Sequence, residues 1–376
     1  MRLSTSVKFN PACDEYFFDQ AIPTHPAVFS LALEDWANQN IPPYLGRTSD
    51  LRRRLKRLLR TSQSSSRLLN LREITREIQF QPVGSAFEAQ WLLYLLNRFH
   101  YPQTYRQRLR LKPVTLLKVN LTNRFPRCYP TRRLKDDGSL YYGPFPNHLA
   151  AERFGAEFLD FFRIRRCVEE LEPDPAHPGC IYSQMRMCLA PCFGGCTDDD
   201  YRSEVGEVVA FLDADGRPLL QRLETERSHA SESLDFEAAG RIHRRIEKVH
   251  EVLRLRPELA RNLLELHAVV VLPGAKPKSV VFFRLTAGEL RGPAELSLDE
   301  NVASPTPLDE QLQTLLVSLA PPGVQPAKLP PWEHLALVAR WYYSSFRQGE
   351  ISLLPPSQEI AHARLIRLCR KVLKQP

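Results

Sequence analysis

The spacing of the cysteines constrains the fold of this chain more than any other sequence feature. A metal ion or cluster bound by several thiolates would hold one region of the chain in a single conformation. Five of the eight cysteines lie between Cys167 and Cys196. Cys167, Cys180, Cys188 and Cys192 are separated by twelve, seven and three residues, and Cys196 follows as a spare thiol that either replaces Cys192 as a ligand or lies nearby. Four thiolates at this spacing suit tetrahedral zinc or a cubane iron-sulfur cluster. The spacing leaves both open, and four buried reduced cysteines are the alternative without a metal.

Charge and hydropathy narrow the class of partner. The chain has 51 Lys and Arg against 43 Asp and Glu, a net charge of +8 and a pI of about 9.1, which favours a polyanionic partner such as nucleic acid. No segment has the length and apolarity of a membrane span, and residues 1–10 lack the apolar run of a secretory signal. We therefore expect a cytoplasmic protein with no membrane partner and with its thiols reduced or metal-bound.

The first region, residues 1–112, has the pattern of a small α/β domain. An apolar run at residues 27–32 and a short segment ending in Tyr44-Leu45-Gly46 predict two strands bounded by Pro and Gly. Residues 86–99 predict a helix with an apolar face. The sheet of this domain must therefore be short.

A strongly basic helix is predicted directly after the second strand, with Thr48 or Ser49 as its N-cap. Its apolar face carries Leu51, Leu55, Leu58 and Leu59. The remaining positions carry six cations: Arg52, Arg53, Arg54, Lys56, Arg57 and Arg60. So many cations with almost no acid among them predict contact with phosphates, and the alternative is a solvated face.

The second region, residues 113–200, begins with an alternating strand pattern at residues 114–120. A turn at Asp136-Asp137-Gly138, between residues 131–133 and 141–143, predicts a β-hairpin. The cysteines follow a helix predicted at residues 148–163. This region also holds a basic and aromatic set that could bind backbone and stack on bases, or else pack in a core. Its members are Arg124, Arg127, Tyr129, Arg132, Arg133, Tyr141 and Tyr142.

The rest of the chain divides into a helical and a mixed part. Residues 201–258 predict a helical hairpin with a break near Asp215-Gly216-Arg217-Pro218. Residues 259–376 predict a C-terminal α+β region with three strand-like runs between Leu266 and Leu298 and two terminal helices. The predicted fold class is therefore multidomain α+β: an α/β domain, a β-hairpin and cysteine-cluster domain, a helical hairpin and a C-terminal α+β region.

The order of these segments resembles the UvrC family along nearly the whole chain. A degraded form of the GIY-YIG nuclease motifs is seen in Pro26-Ala27-Val28-Phe29, Tyr44-Leu45-Gly46-Arg47 and Leu51-Arg52-Arg53-Arg54. The most specific similarity lies in the middle region, in Phe125-Pro126-Arg127, Thr131-Arg132-Arg133 and Tyr141-Tyr142-Gly143-Pro144-Phe145-Pro146. The resemblance implies a GIY-YIG-like first domain and, on Cys167, Cys180, Cys188 and Cys192, a [4Fe-4S] cluster, with zinc as the alternative.

The resemblance also implies two macromolecular partners, DNA and UvrB. Residues 228–250 are similar to the UvrB-binding motif of the family in Ala230-Ser231-Glu232, Phe236-Glu237, Ala239 and Ile246. His243 and Arg244 depart from the usual Arg-Asp pair, and a polar hairpin that braces two domains is the alternative. The region after Leu266 is similar to the segment before the family's RNase H-like nuclease and helix-hairpin-helix modules, which we expect this chain to lack.

The predicted nuclease site is chemically incomplete. By resemblance the second tyrosine is Tyr44, and Arg47 and Arg54 take the basic positions, with Mg²⁺ bound if the site is active. The first tyrosine aligns with Phe29, and residues 92–96, where the metal glutamate is expected, contain no acid. Glu88 lies two helical turns before Leu95, about 10 Å by helix rise. We therefore predict an endonuclease that cuts one DNA strand, with impaired activity.

The sequence supports one functional hypothesis and a second from another class. The first is a UvrC-like, DNA-binding protein of nucleotide excision repair or the DNA damage response. Its predicted DNA contacts are Arg52, Arg53, Lys56, Arg57, Arg132 and Arg133. The second is a non-catalytic DNA-binding or scaffold protein of a repair complex, in which the cysteine region is purely structural.

Overall fold

Three four-stranded antiparallel sheets organise the chain in the computed structural model, which describes residues 2–14, 16–33, 42–60, 71–299, 307–320, 329–354 and 362–374. Helices cover these sheets, so the fold is multidomain α+β, as the sequence predicts. Within those residues no helix combines the length and apolarity needed to cross a bilayer.

The first sheet has the strand order β1-β4-β2-β3. Its elements are β1 (Thr5–Lys8), α1 (Tyr16–Ala21), β2 (Ala27–Leu33), β3 (Tyr44–Thr48), α2 (Leu51–Leu58), α3 (Leu71–Ile74), β4 (Thr75–Pro82), α4 (Ala86–His100) and α5 (Tyr105–Arg108). The two predicted strands and two predicted helices are confirmed. The N-cap of α2 is Asp50, whose carboxylate accepts a hydrogen bond from the Arg53 amide at 2.9 Å, and not Thr48 or Ser49.

Helices cover both faces of the first sheet. Leu51 and Leu55 of α2 pack on one face, together with Phe29. Leu92 and Leu96 of α4 pack on the other face. Because side chains alternate across a strand, neighbouring residues of β3 therefore face different helices.

The second sheet has the order β6-β5-β7-β8 and contains β5 (Thr115–Val119), β6 (Cys128–Thr131), β7 (Leu140–Phe145) and the short β8 (Arg261–Asn262). The hairpin predicted across Asp136-Asp137-Gly138 is wrong, because β6 and β7 do not pair with each other and β5 lies between them. Lys118 of β5 forms an ion pair with Asp137, which holds the polar turn over β5. The hairpin of this region is instead β5 with β6.

Helices follow the second sheet: α6 (His148–Leu159), α7 (Ile181–Gln184), α8 (Asp198–Asp213), α9 (Arg217–Glu232) and α10 (Phe236–Leu255). The predicted break near Gly216 separates α8 from α9, and Gly216 has a φ of 73°, the left-handed region that favours glycine. The antiparallel hairpin itself is α9 with α10, joined at residues 233–235. Its base packs on α6, where Lys248 pairs with Glu157 at 2.7 Å.

The third sheet has the order β11-β10-β9-β12. It contains β9 (His267–Pro273), β10 (Ser279–Thr286), β11 (Glu289–Ser297) and β12 (Glu350–Leu354), with α11 (Leu308–Ser318), α12 (Trp332–Tyr342) and α13 (His362–Leu373). The three predicted strands are confirmed. The sequence does not predict the fourth, β12, because its five residues carry no alternating pattern between the flanking helices.

Helix α4 belongs to two cores at once. The face opposite Leu92 and Leu96 places Phe87 and Trp91 in the core of the third sheet. The Phe87 and Phe283 rings lie 5.2 Å apart, and the Trp91 indole donates to the Gly292 carbonyl at 2.8 Å. The first domain and the C-terminal region therefore share this helix, and residues far apart in sequence meet at its N-terminus.

Candidate nucleic-acid interface and cysteine site

The position of the first tyrosine is occupied by a fully buried phenyl ring. Phe29 pairs with Gly46 across β2 and β3, and its ring lies 6.2 Å from the Tyr44 ring. A Cβ on Gly46 would stand 2.5 Å from the Phe29 ring, so glycine is needed at this close approach. Phe29 therefore keeps the packing of an aromatic residue but offers no hydroxyl group to the site.

The predicted catalytic residues Tyr44, Arg47 and Arg54 are not gathered at one point. Tyr44 packs on the α2 side of the first sheet. Arg47 lies on the other side, where its guanidinium donates to the Ala86 carbonyl of α4 at 3.5 Å. Arg54 is half-buried on α2. The Tyr44 hydroxyl and the Arg47 charge therefore face different helices.

The acid nearest to Arg47 in α4 has a structural role. Glu88 is 5% exposed, and its carboxylate accepts a hydrogen bond from the Gly84 amide at 3.0 Å, while its own amide donates to Ser85 Oγ. Burial, opposed by the Gly84 hydrogen bond and assisted by the charge of Glu295, raises the pKa of Glu88 to about 7. This carboxyl caps the start of α4 rather than facing an open site.

A cleft of about 430 Å³ opens beside Arg47 and the start of α4. Arg47, Thr48, Ser49, Gly84, Ser85 and Gln348 are among the residues that line it. Tyr44, Arg54 and Glu88 do not line it. Hydroxyl groups, amide groups and one guanidinium at the positive end of a helix suit an anion such as phosphate.

Five of the six cations of the basic helix divide into two groups, and the sixth, Arg54, is half-buried. Arg52 donates to the Ile22 carbonyl at 2.7 Å and lies 3.7 Å from Asp19, and Lys56 pairs with Asp19 at 2.8 Å. These two side chains hold α1 against α2. Arg53, Arg57 and Arg60 are exposed. The exposed group is therefore the one best placed for phosphate.

The second basic and aromatic set is also divided. Tyr141 and Tyr142 are each 1% exposed, and the Tyr142 hydroxyl donates to Asp213 at 2.9 Å, so these rings belong to the core and cannot stack on bases. Arg132 and Arg133 are exposed and form no ion pair with the described residues. Arg132 and Arg133 therefore remain candidates for nucleic acid, as does the half-buried Tyr129, whose ring lies 4.2 Å from the Arg127 guanidinium. Arg124 instead pairs with Asp198 at 2.9 Å.

The cysteine loop, residues 167–196 between α6 and α8, carries the four predicted ligand thiols, and three of them act electrostatically on the fourth, Cys188. Burial raises the pKa of Cys188 to about 11, and the neighbouring thiols of Cys167, Cys180 and Cys192 act in the same direction. The Ala190 amide also donates to Cys188 Sγ at 3.3 Å. Cys196 differs, because its neighbours include Asp198 and Asp200. Cys192 also acts on Cys196, so the choice of four ligands among the five thiols stays a prediction.

The case for a metal in this loop depends on the chemistry of its thiol donors, because the thiols are not arranged as a finished coordination site. Within the described residues, no three His, Cys, Asp or Glu side chains already stand as a metal-binding group. Thiols without a metal are protonated and need not converge, whereas thiolates select zinc or iron-sulfur clusters. The four neighbouring thiols therefore supply the chemistry that such a group requires.

A buried cation beside the loop supports the same conclusion. Arg165 is 2% exposed, and its guanidinium donates to the carbonyls of Cys167 and Glu169. Its Nε and Nη1 atoms are buried with no partner among the described residues. An uncompensated buried charge is costly, and a thiolate-bound metal site would place negative charge nearby. Sequence patterns alone did not identify Arg165, although Arg165-Arg166 directly precedes Cys167.

Comparisons with known proteins agree with this region. Residues 114–211 match the family model of the UvrC/Cho excinuclease middle domain. The chain is 28% identical over 251 residues to the UvrABC system protein C of Dehalococcoides mccartyi strain BAV1, covering 66% of this chain and 41% of that protein. It is 29% identical to the protein of the same name from Methanothermobacter thermautotrophicus, covering 66% of this chain and 42% of that one.

A third relative matches over a longer stretch. The UvrABC system protein C of Proteus mirabilis is 29% identical over 282 residues, covering 73% of this chain and 44% of that protein. The chain thus spans less than half the length of these curated relatives. No solved structure matches it.

Proposed function

Because the chain belongs to the UvrC family, in the partial form that matches these relatives, we propose that it binds DNA and acts in nucleotide excision repair or a related response to DNA damage. The observation that carries the proposal is the exposed basic face of α2, in a chain whose residues 114–211 match a middle domain of the UvrC type. Cations on one helix face act on the sugar-phosphate backbone through charge, so they bind without reading sequence.

Removing two exposed arginines of this face tests the proposal. Arg53→Ala with Arg57→Ala should weaken binding to every duplex sequence to a similar extent. The slope of log affinity against log salt should fall by about 0.9 for each phosphate that the variant no longer neutralises. The measurement is fluorescence anisotropy of a labelled duplex over a series of KCl concentrations. Arg52 and Lys56 are left unchanged, because they hold α1 in place.

The matched control removes the same charge elsewhere. Arg364 and Arg370 are exposed on α13, which packs on the face of the third sheet opposite to α4. Arg364→Ala with Arg370→Ala should leave the salt slope unchanged. Equal slopes for the wild type and both double variants would mean that the basic face of α2 is only solvated.

A second candidate function is a DNA-binding scaffold without its own nuclease activity. Phe29 in place of a tyrosine, and the apolar side chains of residues 92–96, favour this function over an active nuclease. On this proposal α2 contacts the DNA backbone, the cysteine loop has a purely structural role, and another enzyme cuts the bound DNA. The nicking assay described in the Discussion separates the two candidates.

We also propose that the α9–α10 hairpin binds UvrB through residues 228–250. The tip of the hairpin exposes two large apolar side chains, Leu234 (72% exposed) and Phe236 (68% exposed). Exposed aromatic and aliphatic side chains are common anchors of protein interfaces. His243 and Arg244, which replace the usual Arg-Asp pair of the family, lie along α10 and not at the tip of the hairpin. His243 Nε2 is 3.7 Å from the Glu247 carboxylate on the same helix.

Phe236→Ala should weaken UvrB binding by roughly 2 kcal/mol, about thirtyfold in Kd, because it removes a central aromatic anchor. Isothermal titration of purified UvrB into the variant and the wild type measures the change. Leu149→Ala is the control, since Leu149 is equally exposed (72%) but lies on α6. Equal weakening in both variants, or none in either, would contradict the assignment of the hairpin tip.

For the cysteine loop we propose a [4Fe-4S] cluster held by Cys167, Cys180, Cys188 and Cys192, with zinc as the alternative. The donor chemistry and the unpartnered atoms of Arg165 support a bound group of negative charge. Its contribution when bound would be to cross-link the segment between α6 and α8. The protein's own part is to supply the thiols, of which Cys192 is buried and Cys167, Cys180 and Cys188 are half-buried.

A further inference from the structure

The cleft beside Arg47 continues into a second cavity formed by the C-terminal region. This cavity, of about 150 Å³, shares Arg47, Ser85, Ala86 and Gln348 with the larger cleft. Its other lining residues include Arg340, Trp341, Phe346 and Arg347, from the end of α12 and the loop that follows. One continuous groove therefore runs from β3 across the start of α4 to the end of α12.

Three arginines line this groove, one from the first domain and two from the C-terminal region. Arg47, Arg340 and Arg347 are all exposed, and none forms an ion pair with the described residues. Burial lowers the pKa of Arg340, and the positive charge of Arg47 lowers it further, so these two cations are neighbours. Like charges brought together destabilise the fold unless an anion lies between them.

The groove holds no acid that could serve as that anion. No Asp or Glu is among the residues that line either cavity in the described part of the chain. Glu88 is close in sequence, but its carboxyl is buried against the Gly84 amide and its pKa is raised to about 7. A bound anion would therefore meet three cations and no carboxylate among the described residues of this groove.

The surroundings of Arg347 favour nucleic acid over a small anion. The Arg347 guanidinium lies over the Trp341 and Tyr342 rings, at 5.6 and 4.9 Å from their centroids, which holds it at the edge of the groove. Phe346, beside it in the cavity lining, is 91% exposed. An exposed aromatic ring next to ordered cations is the combination with which proteins bind both base and backbone of an unpaired strand.

We infer that Arg340 and Arg347 of the C-terminal region, together with Arg47, form a binding groove for the DNA backbone across the start of α4. This inference rests on the proposed DNA-binding function and adds to it a second contact surface, separate from α2. It also gives the C-terminal region a role in substrate binding, because α4 joins that region to the first sheet.

The test compares glutamine variants in the full chain. Arg340→Gln with Arg347→Gln should weaken binding of a labelled duplex with a single-stranded flap roughly tenfold at about 0.1 M salt, and it should lower the salt slope by about 0.9 for each phosphate left without its cation. Arg340→Lys with Arg347→Lys should keep most of the slope, because phosphate responds to charge. Arg364→Gln with Arg370→Gln, on the opposite face of the third sheet, should match the wild type.

Folding is controlled separately, since the Arg340 guanidinium donates to the Arg110 carbonyl at 3.1 Å. If the double variant melts early, Arg347→Gln alone should still lower the slope by about 0.9, the value for a single phosphate. Wild-type slopes in Arg347→Gln and the double variant, with weakened binding in Arg53→Ala Arg57→Ala, would overturn the groove but keep the DNA function. A wild-type protein with no salt-dependent DNA binding would overturn both.

Discussion

Replacing Cys188 by alanine is expected to remove the iron from protein purified without oxygen, and with it the brown colour. Cys188 is the thiol whose electrostatic neighbours are all three other predicted ligands. Removing one of four thiolates opens the coordination shell of a cubane cluster. Because metal binding is coupled to folding, the loop between α6 and α8 should lose several kcal/mol of stability. Iron and sulfide content, visible absorbance and thermal unfolding measure the change.

Two comparisons sharpen this test. Cys180→Ala should behave like Cys188→Ala, whereas Cys196→Ala should keep its iron, because Asp198 and Asp200 are among the neighbours of Cys196. Wild-type protein that is colourless and holds one zinc, absent from Cys188→Ala, would replace the cluster by zinc and keep the ligand set. Equal metal content in all variants would refute the site.

The second large effect concerns nuclease activity, which we expect to be several orders of magnitude below that of an intact GIY-YIG enzyme. Phosphodiester hydrolysis needs an activated water, neutralisation of the charge on the phosphoryl oxygens and a carboxylate that holds the metal. Phe29 has no hydroxyl, and Tyr44 and Arg47 face different sides of the first sheet. Loss of the anchoring hydroxyl or of the metal carboxylate alone commonly lowers the rate a hundredfold or more.

Among the described residues, the site lacks a carboxylate that is suitable for binding a metal. Residues 92–96 carry only apolar and aromatic side chains, of which Leu92 and Leu96 are buried on the first sheet. Glu88 is the nearest acid in α4, and the Gly84 amide already occupies its carboxylate. A buried carboxyl whose pKa is raised to about 7 is a poor ligand for Mg²⁺, which binds ionised oxygen donors and retains several of its waters.

The assay is nicking of a lesion-bearing duplex with Mg²⁺ or Mn²⁺, alone and with UvrB, by the wild type, Tyr44→Phe and Glu88→Ala. We expect background cutting in every case. A thermal melt of Glu88→Ala checks that the start of α4 survives removal of its cap. Rapid cutting by the wild type that disappears in a folded Glu88→Ala variant would show that Glu88 holds the metal and that the site is intact.

Local patterns in the sequence predicted the elements that depend on near neighbours. The apolar runs of β2 and β9 to β11, the periodicity of α4 and the spacing of the four cysteines are recognisable within a few residues, since strand, helix and turn preferences are local. The break at Gly216 belongs to the same class, because only glycine adopts that φ without strain.

Tertiary structure decided everything that depends on which segments meet. Strand order is non-local, so the sequence predicted a hairpin across Asp136-Asp137-Gly138 where β5 in fact separates β6 from β7. A charged side chain looks alike in sequence whether it faces solvent or a carbonyl, so Arg52 could not be told from Arg53. Arg47 and Arg340 are neighbours only because α4 packs on two sheets at once. Burial and electrostatic compensation are properties of the packed chain, and they alone separate the cations that stabilise this fold from those left for a ligand.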